Sequence, residues 1–139
     1  MADEMYEVLL LDGGQRWHVG FVVGEQTDLL LRSGGGVAAF RSRAALEHAA
    51  QRARVELSDD LPDEIDLDLG GWLSQGTPEP PAQDVSELWH LLLDDPDAGR
   101  PLRGEEVEEA PEWFREHGPR ARRALSEAVR RLRGVLRPA

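Results

Sequence analysis

Pro78, Pro80 and Pro81 put three prolines into four residues, and neither helix nor central strand continues through such a segment. The rings fix φ and remove backbone donors, which stiffens the connection. The segment also separates two hydrophobic patterns. Apolar residues alternate in part of the chain before it and recur at helical spacing after it. We therefore read residues 1–74 as an antiparallel sheet plus helix, 75–83 as a Pro-rich linker, and 84–139 as a helical subdomain ending in an amphipathic Arg-rich helix. The implied fold class is α+β: a small antiparallel β-meander with one helix, followed by a helical C-terminal half. A chain of 139 residues has the length for a core without staples.

In the first part, Val8 to Leu11 leads through Asp12-Gly13-Gly14 into Trp17 to Val23. Asp-Gly between apolar runs predicts a hairpin, because Gly supplies the positive φ of a tight turn. Trp17, Val19, Phe21 and Val23 share one face of the second strand. Asp28 to Leu31 reads as a third strand and Val37 to Phe40 as a fourth, joined by the Gly-rich turn Ser33 to Gly36. Ser42 then suits a helix N-cap, and Ala45, Leu46, Ala49, Ala50 and Ala53 recur at helical spacing. Ile65, Leu67 and Leu69 fit an edge strand; a short turn of helix through Trp72 and Leu73 fits equally.

Beyond the prolines, Asp84 with Glu87 predicts a helix start, and Val85, Leu88, Trp89, Leu92 and Leu93 form its apolar face. Pro96 to Arg103 reads as a loop. Pro111 opens a helix carrying Trp113 and Phe114 that ends near Gly118. Pro119 starts the last helix, which runs to about Leu136. Its stripe contains Ala121, Leu125, Ala128, Val129 and Leu132, and its arginines lie on the other side.

Charge changes sign along the chain. The formal net is −11, yet residues 118–139 hold seven Arg against one acid, Glu127. All sixteen basic residues are Arg, the mark of codon bias in a GC-rich genome, so every cation is a planar fork suited to carboxylates and phosphates. With no Cys there is no disulfide, thiolate metal site or Cys nucleophile. The acidic N-terminus does not read as a signal peptide, and no apolar run approaches a membrane span. The expected location is cytoplasmic.

Motifs for chemistry are sparse. Gly13-Gly14-Gln15 spells the tripeptide with which release factors hydrolyse peptidyl-tRNA, but between apolar strands it reads as a hairpin turn. Ser33 to Gly36 lacks the Lys-Ser/Thr ending of a phosphate loop. An EF-hand-like start at Glu64 places Leu69 where Gly belongs and Gln75 where a bidentate Glu belongs, so no metal is expected. His18, His48, His90 and His117 form no helical pair for zinc, and no Gly-x-Ser-x-Gly elbow occurs. We expect no catalytic residues and no cofactor.

The expected function is a non-catalytic acidic module binding a protein partner, itself basic. It is similar in composition alone to small acidic inhibitor or immunity proteins. The expected partner-binding residues are Asp59, Asp60, Asp63, Glu64, Asp66, Asp68 and Trp72, an acidic run with an aromatic anchor. The core is the favoured place for each of the four Trp, with Trp72 beside Gly70-Gly71 and Trp113 beside acids as alternative interface anchors. One alternative is anion or nucleic-acid binding through Arg120, Arg122, Arg123, Arg130, Arg131 and Arg133, though no aromatic residue stands among them to stack on bases. Another is a homodimer with the Arg helix docked on an acidic face. Membrane association is not expected.

Overall fold

A computed structural model describes residues 4–24, 28–76, 79–102 and 110–138. Its fold is α+β. Strands β1 (Glu4–Asp12) and β2 (Gln15–Val23) form an antiparallel hairpin in unbroken register from Glu4↔Val23 to Asp12↔Gln15. Gly13 and Gly14 take φ of 55° and 88°, the two consecutive positive values of a type I′ turn. The release-factor tripeptide is thus a turn and the first residue of a strand. Strand β3 (Asp28–Leu30) extends the meander by antiparallel pairing with β2, with Val22 opposite Leu29.

The next strands depart from a simple meander. Strands β4 (Arg32–Ser33) and β5 (Gly36–Ala39) pair with each other in a second small sheet. His18 and Phe40 exchange backbone hydrogen bonds of 2.7 and 2.9 Å. Helix α1 (Arg43–Ala53) follows, with Ser42 Oγ accepting from the Ala45 N–H at 3.2 Å as its sequence predicts. Arg54 closes it in the left-handed region. Leu46, Ala49 and Ala50 pack with Met5, Ala38 and Phe40 into one apolar cluster. Gly20 permits this approach, since a Cβ there would collide with Met5 Sδ and lie 3.3 Å from Leu46 Cδ1.

Strand β6 (Glu56–Leu57) then pairs with β1 in parallel, with Met5 opposite Leu57. Strand β7 (Asp63–Asp66) uses part of the expected 65–69 edge strand. A 3-10 turn (Leu69–Gly71) and helix α2 (Trp72–Gln75) follow, so the strand and the short helix both occur, one after the other. Helix α3 (Ala82–Leu93) starts after Pro81 rather than at Asp84, because Pro81 already has the φ of −58° that leads into a helix. It buries Val85, Leu88, Trp89, Leu91 and Leu92.

Helix α4 (Ala110–Val135) carries a break at Gly118 (φ 12°, ψ −97°) immediately before Pro119, where the sequence separates two helices. Ala121, Leu125, Ala128, Val129 and Leu132 are buried, as the stripe requires. The helix ends at Val135, and Leu136–Pro138 form strand β8, parallel to β5 with Val37 opposite Leu136. Gly36 makes this possible, because a Cβ there would fall on the Val135 carbonyl oxygen and 2.8 Å from Arg137 Cγ.

Two compact units result: Met1–Glu64 with Val135–Ala139, and Ile65–Gly134. The expected linker at 75–83 therefore lies inside the second unit, not between units. Leu67, Leu69 and Trp72 explain the difference, since all three are buried and belong with the helices. Arg122 of α4 also binds the Trp72 and Leu73 carbonyl oxygens at 3.0 and 3.1 Å, tying α2 to a helix beyond the prolines. Among the described residues no helix is long and apolar enough to cross a membrane.

Candidate partner-binding surface

The loop between β6 and β7 is built from its base outward. The Ser58 N–H donates to the Met5 carbonyl (2.8 Å), fixing the loop to β1. Ser58 Oγ accepts from the Asp60 N–H (3.1 Å), a local turn that competes with regular structure. The Ser58 carbonyl accepts from the Arg43 guanidinium (2.9 Å). Beyond this base, Asp59, Asp60, Asp63 and Glu64 are all exposed. Leu61 stands among them with 93% of its surface in water. Tyr6 lies close enough to feel this charge. Its phenol is pushed up first by the hydrogen bond it donates to Glu4 (2.9 Å), and the Asp60 carboxylate adds to that.

Arg43 connects the loop to a buried charge. The Glu7 side chain is 2% exposed, and its two oxygens accept from Arg43 Nη1 (2.9 Å) and His18 Nδ1 (2.5 Å). A buried carboxylate needs such partners, since an unpaired charge away from water is costly. The bond to Glu7 raises the Arg43 guanidinium above its ordinary range, against desolvation, and Glu47 at 3.1 Å adds to the effect. The guanidinium therefore joins a buried acid, a helix-surface acid and the loop carbonyl.

The seven expected residues fall in two units. Asp59, Asp60, Asp63 and Glu64 belong to the first unit, and Asp66, Asp68 and Trp72 to the second. The Asp66 carboxylate accepts from the Asp68 and Gly70 N–H groups, each at 2.9 Å. Asp68 accepts from the Ser74 N–H (2.9 Å) and hydroxyl (2.7 Å). Both acids are thus used in shaping the 66–74 turn. Trp72 is 8% exposed, with Arg122 Cζ 5.8 Å above its ring, which is the core placement favoured for the tryptophans.

The arginine face is largely committed within the protein. Arg122 holds α2. Arg130 forms a two-point pair with Glu127 (2.6 and 2.9 Å), which holds the Glu127 carboxyl below the usual carboxylate range. Arg131 reaches Glu127 (3.3 Å) and Asp97 (3.4 Å). Arg120 and Arg133 also have partners, while Arg123 is exposed. The acidic run at 105–109 and the side chain of Trp113 lie outside the described residues. Trp17 and Trp89 are buried. Among the described residues no group of three or more His, Asp and Glu is placed to hold a metal ion.

Two features escaped the sequence reading. Leu61 carries a signal, a single apolar residue between paired acids and followed by Pro62. The Glu7–His18 pair also has one: a two-residue turn after Asp12 sets Glu7 opposite Gly20 and His18 opposite Leu9, diagonal neighbours on one face. Arg43 as the third member has no local signal.

No family model matches the chain, and no curated protein matches it. Among solved structures, the C-terminal domain of SatS, determined in complex with bromine, has a similar fold, with a TM-score of 0.56. The two share 14% identity over 97% of this chain and 94% of that one. At that identity the likeness defines the fold class alone.

Proposed function

We propose that the chain is a non-catalytic, cytoplasmic interaction module whose Asp59–Glu64 segment, the β6–β7 loop and the start of β7, binds a basic protein partner. The observation that carries this reading is Leu61, 93% exposed between Asp60 and Pro62 with Asp59, Asp63 and Glu64 around it. A leucine so placed contributes nothing to its own core. Buried in a partner's apolar pocket it contributes about 1.5–3 kcal/mol. The acids steer a cationic partner and favour a pocket rimmed by Lys or Arg. The fixed base at Ser58 supports the reading further, because a pre-organised loop loses less entropy on binding.

The test is a tagged pull-down from nuclease-treated lysate of the source organism, read by mass spectrometry, with the wild type beside Leu61→Ser and a charge-reversed loop (Asp59→Arg, Asp60→Arg, Asp63→Arg, Glu64→Arg). A protein retained by wild type, released at high salt and lost from both variants supports the module. Capture that is equal in all three chains, or no capture by the wild type, refutes it.

A further inference from the structure

We infer that the tip of the β1–β2 hairpin is a binding site for a small organic phosphate, held by Arg16 and Arg41 beside Trp17. The inference is independent of the acidic loop. An open cleft of about 330 Å³ is lined by Gly14, Gln15, Arg16, Trp17 and Arg41. The backbone assembles it. The exchange of hydrogen bonds between His18 and Phe40 brings the next residue along, Arg41, opposite the preceding one, Trp17. Arg41 Cζ lies 5.7 Å above the Trp17 ring, which limits the freedom of its guanidinium.

The charge pattern points to the ligand. Elsewhere Arg43, Arg130 and Arg131 are paired with acids of the chain. Arg16 and Arg41 are exposed, and among the described residues neither forms an ion pair. Among the described residues no acid lines their cleft, in a chain with a net charge of −11. Two like charges beside one cleft repel unless an anion lies between them. Guanidinium forks match the oxygens of a phosphate, and two of them balance a phosphate dianion. The volume falls in the range of small-molecule sites, well above that of a bare ion, so the phosphate carries an organic group. Gln15 adds an amide at the rim.

The experiment titrates phenyl phosphate into the full chain by calorimetry, with tryptophan emission as a second readout. Saturable binding at one site per chain is expected, weakened about ten-fold or more by Arg16→Gln and by Arg41→Gln. Arg41→Lys keeps the charge, loses the fork and should fall between wild type and Arg41→Gln. Arg52→Gln, an exposed arginine on α1, should leave binding unchanged. Binding that survives in the Arg16→Gln/Arg41→Gln double variant overturns the inference. So does equal binding of benzoate, or no saturable binding at millimolar phenyl phosphate.

Discussion

Glu7 and Arg43 make the most discriminating pair to perturb, because the two ends of one ion pair sit in different solvents. The Glu7 side chain is 2% exposed, that of Arg43 33% and that of His18 19%. Replacing Arg43 by Met leaves a carboxylate out of water with His18 as its remaining partner among the described residues, and also frees the Ser58 carbonyl. Removing one partner of a buried pair costs about 3–5 kcal/mol. Glu7→Gln is milder. The amide keeps one acceptor, the imidazole can move its proton to the other ring nitrogen, and Arg43 turns to water, Glu47 and Ser58. The loss of charge assistance in that variant costs about 1–2 kcal/mol. In the double variant the stranded charge is gone, so the combined cost should fall short of additivity by about 1–2 kcal/mol. Urea unfolding of the four chains measures this. The melting temperature should fall by about 2–4 °C per kcal/mol for a chain near this size. Glu7→Gln costing as much as Arg43→Met, or additivity within about 0.5 kcal/mol, refutes the reasoning.

Other consequences are equally direct. Arg122→Ala should destabilise by about 2 kcal/mol, since two carbonyl bonds and the contact with Trp72 are lost together; a loss below about 0.5 kcal/mol in urea contradicts this. Gly36→Ala should cost about 1–3 kcal/mol and expose the amides of Leu136 and Arg137 to hydrogen exchange, because the Cβ displaces β8 from β5. Asp68→Ala should cost about 1 kcal/mol through the lost bonds to Ser74, yet leave partner capture unchanged. Glu127 has a depressed carboxyl pKa in the fold, so its pair with Arg130 stabilises above the ordinary carboxylate value of about 4.3 and is lost as pH falls through the lower folded value. Glu127→Gln should therefore flatten the fall of stability with acid, measured as unfolding midpoint against pH.

Features set by neighbouring residues were legible in the sequence. The Gly13-Gly14 turn, the Ser42 cap and the break at Gly118-Pro119 each follow from what one or two residues permit their own backbone to do. Features set by distant partners were not. Strand β8 joins β5 across most of the chain, and its Leu136 continues the apolar stripe of the preceding helix, so periodicity alone extends the helix. The parallel addition of β6 to β1 has no local mark either. The acidic run showed in composition, but composition counts Asp66 and Asp68 alike with Asp59 and Asp60. Only the folded turn separates carboxylates that cap backbone N–H groups from those that face water.

The measurement that bears most directly on the proposed module is the association rate of the captured partner, followed by stopped flow across a range of salt. Wild type should associate fast and slow steeply as salt rises, since steering operates within a Debye length of about 8 Å at physiological salt. The charge-reversed loop should associate at least about ten-fold more slowly at low salt and lose that slope. Leu61→Ser should keep the association rate and dissociate faster. An association rate and salt slope unchanged by reversing Asp59, Asp60, Asp63 and Glu64 would contradict the account.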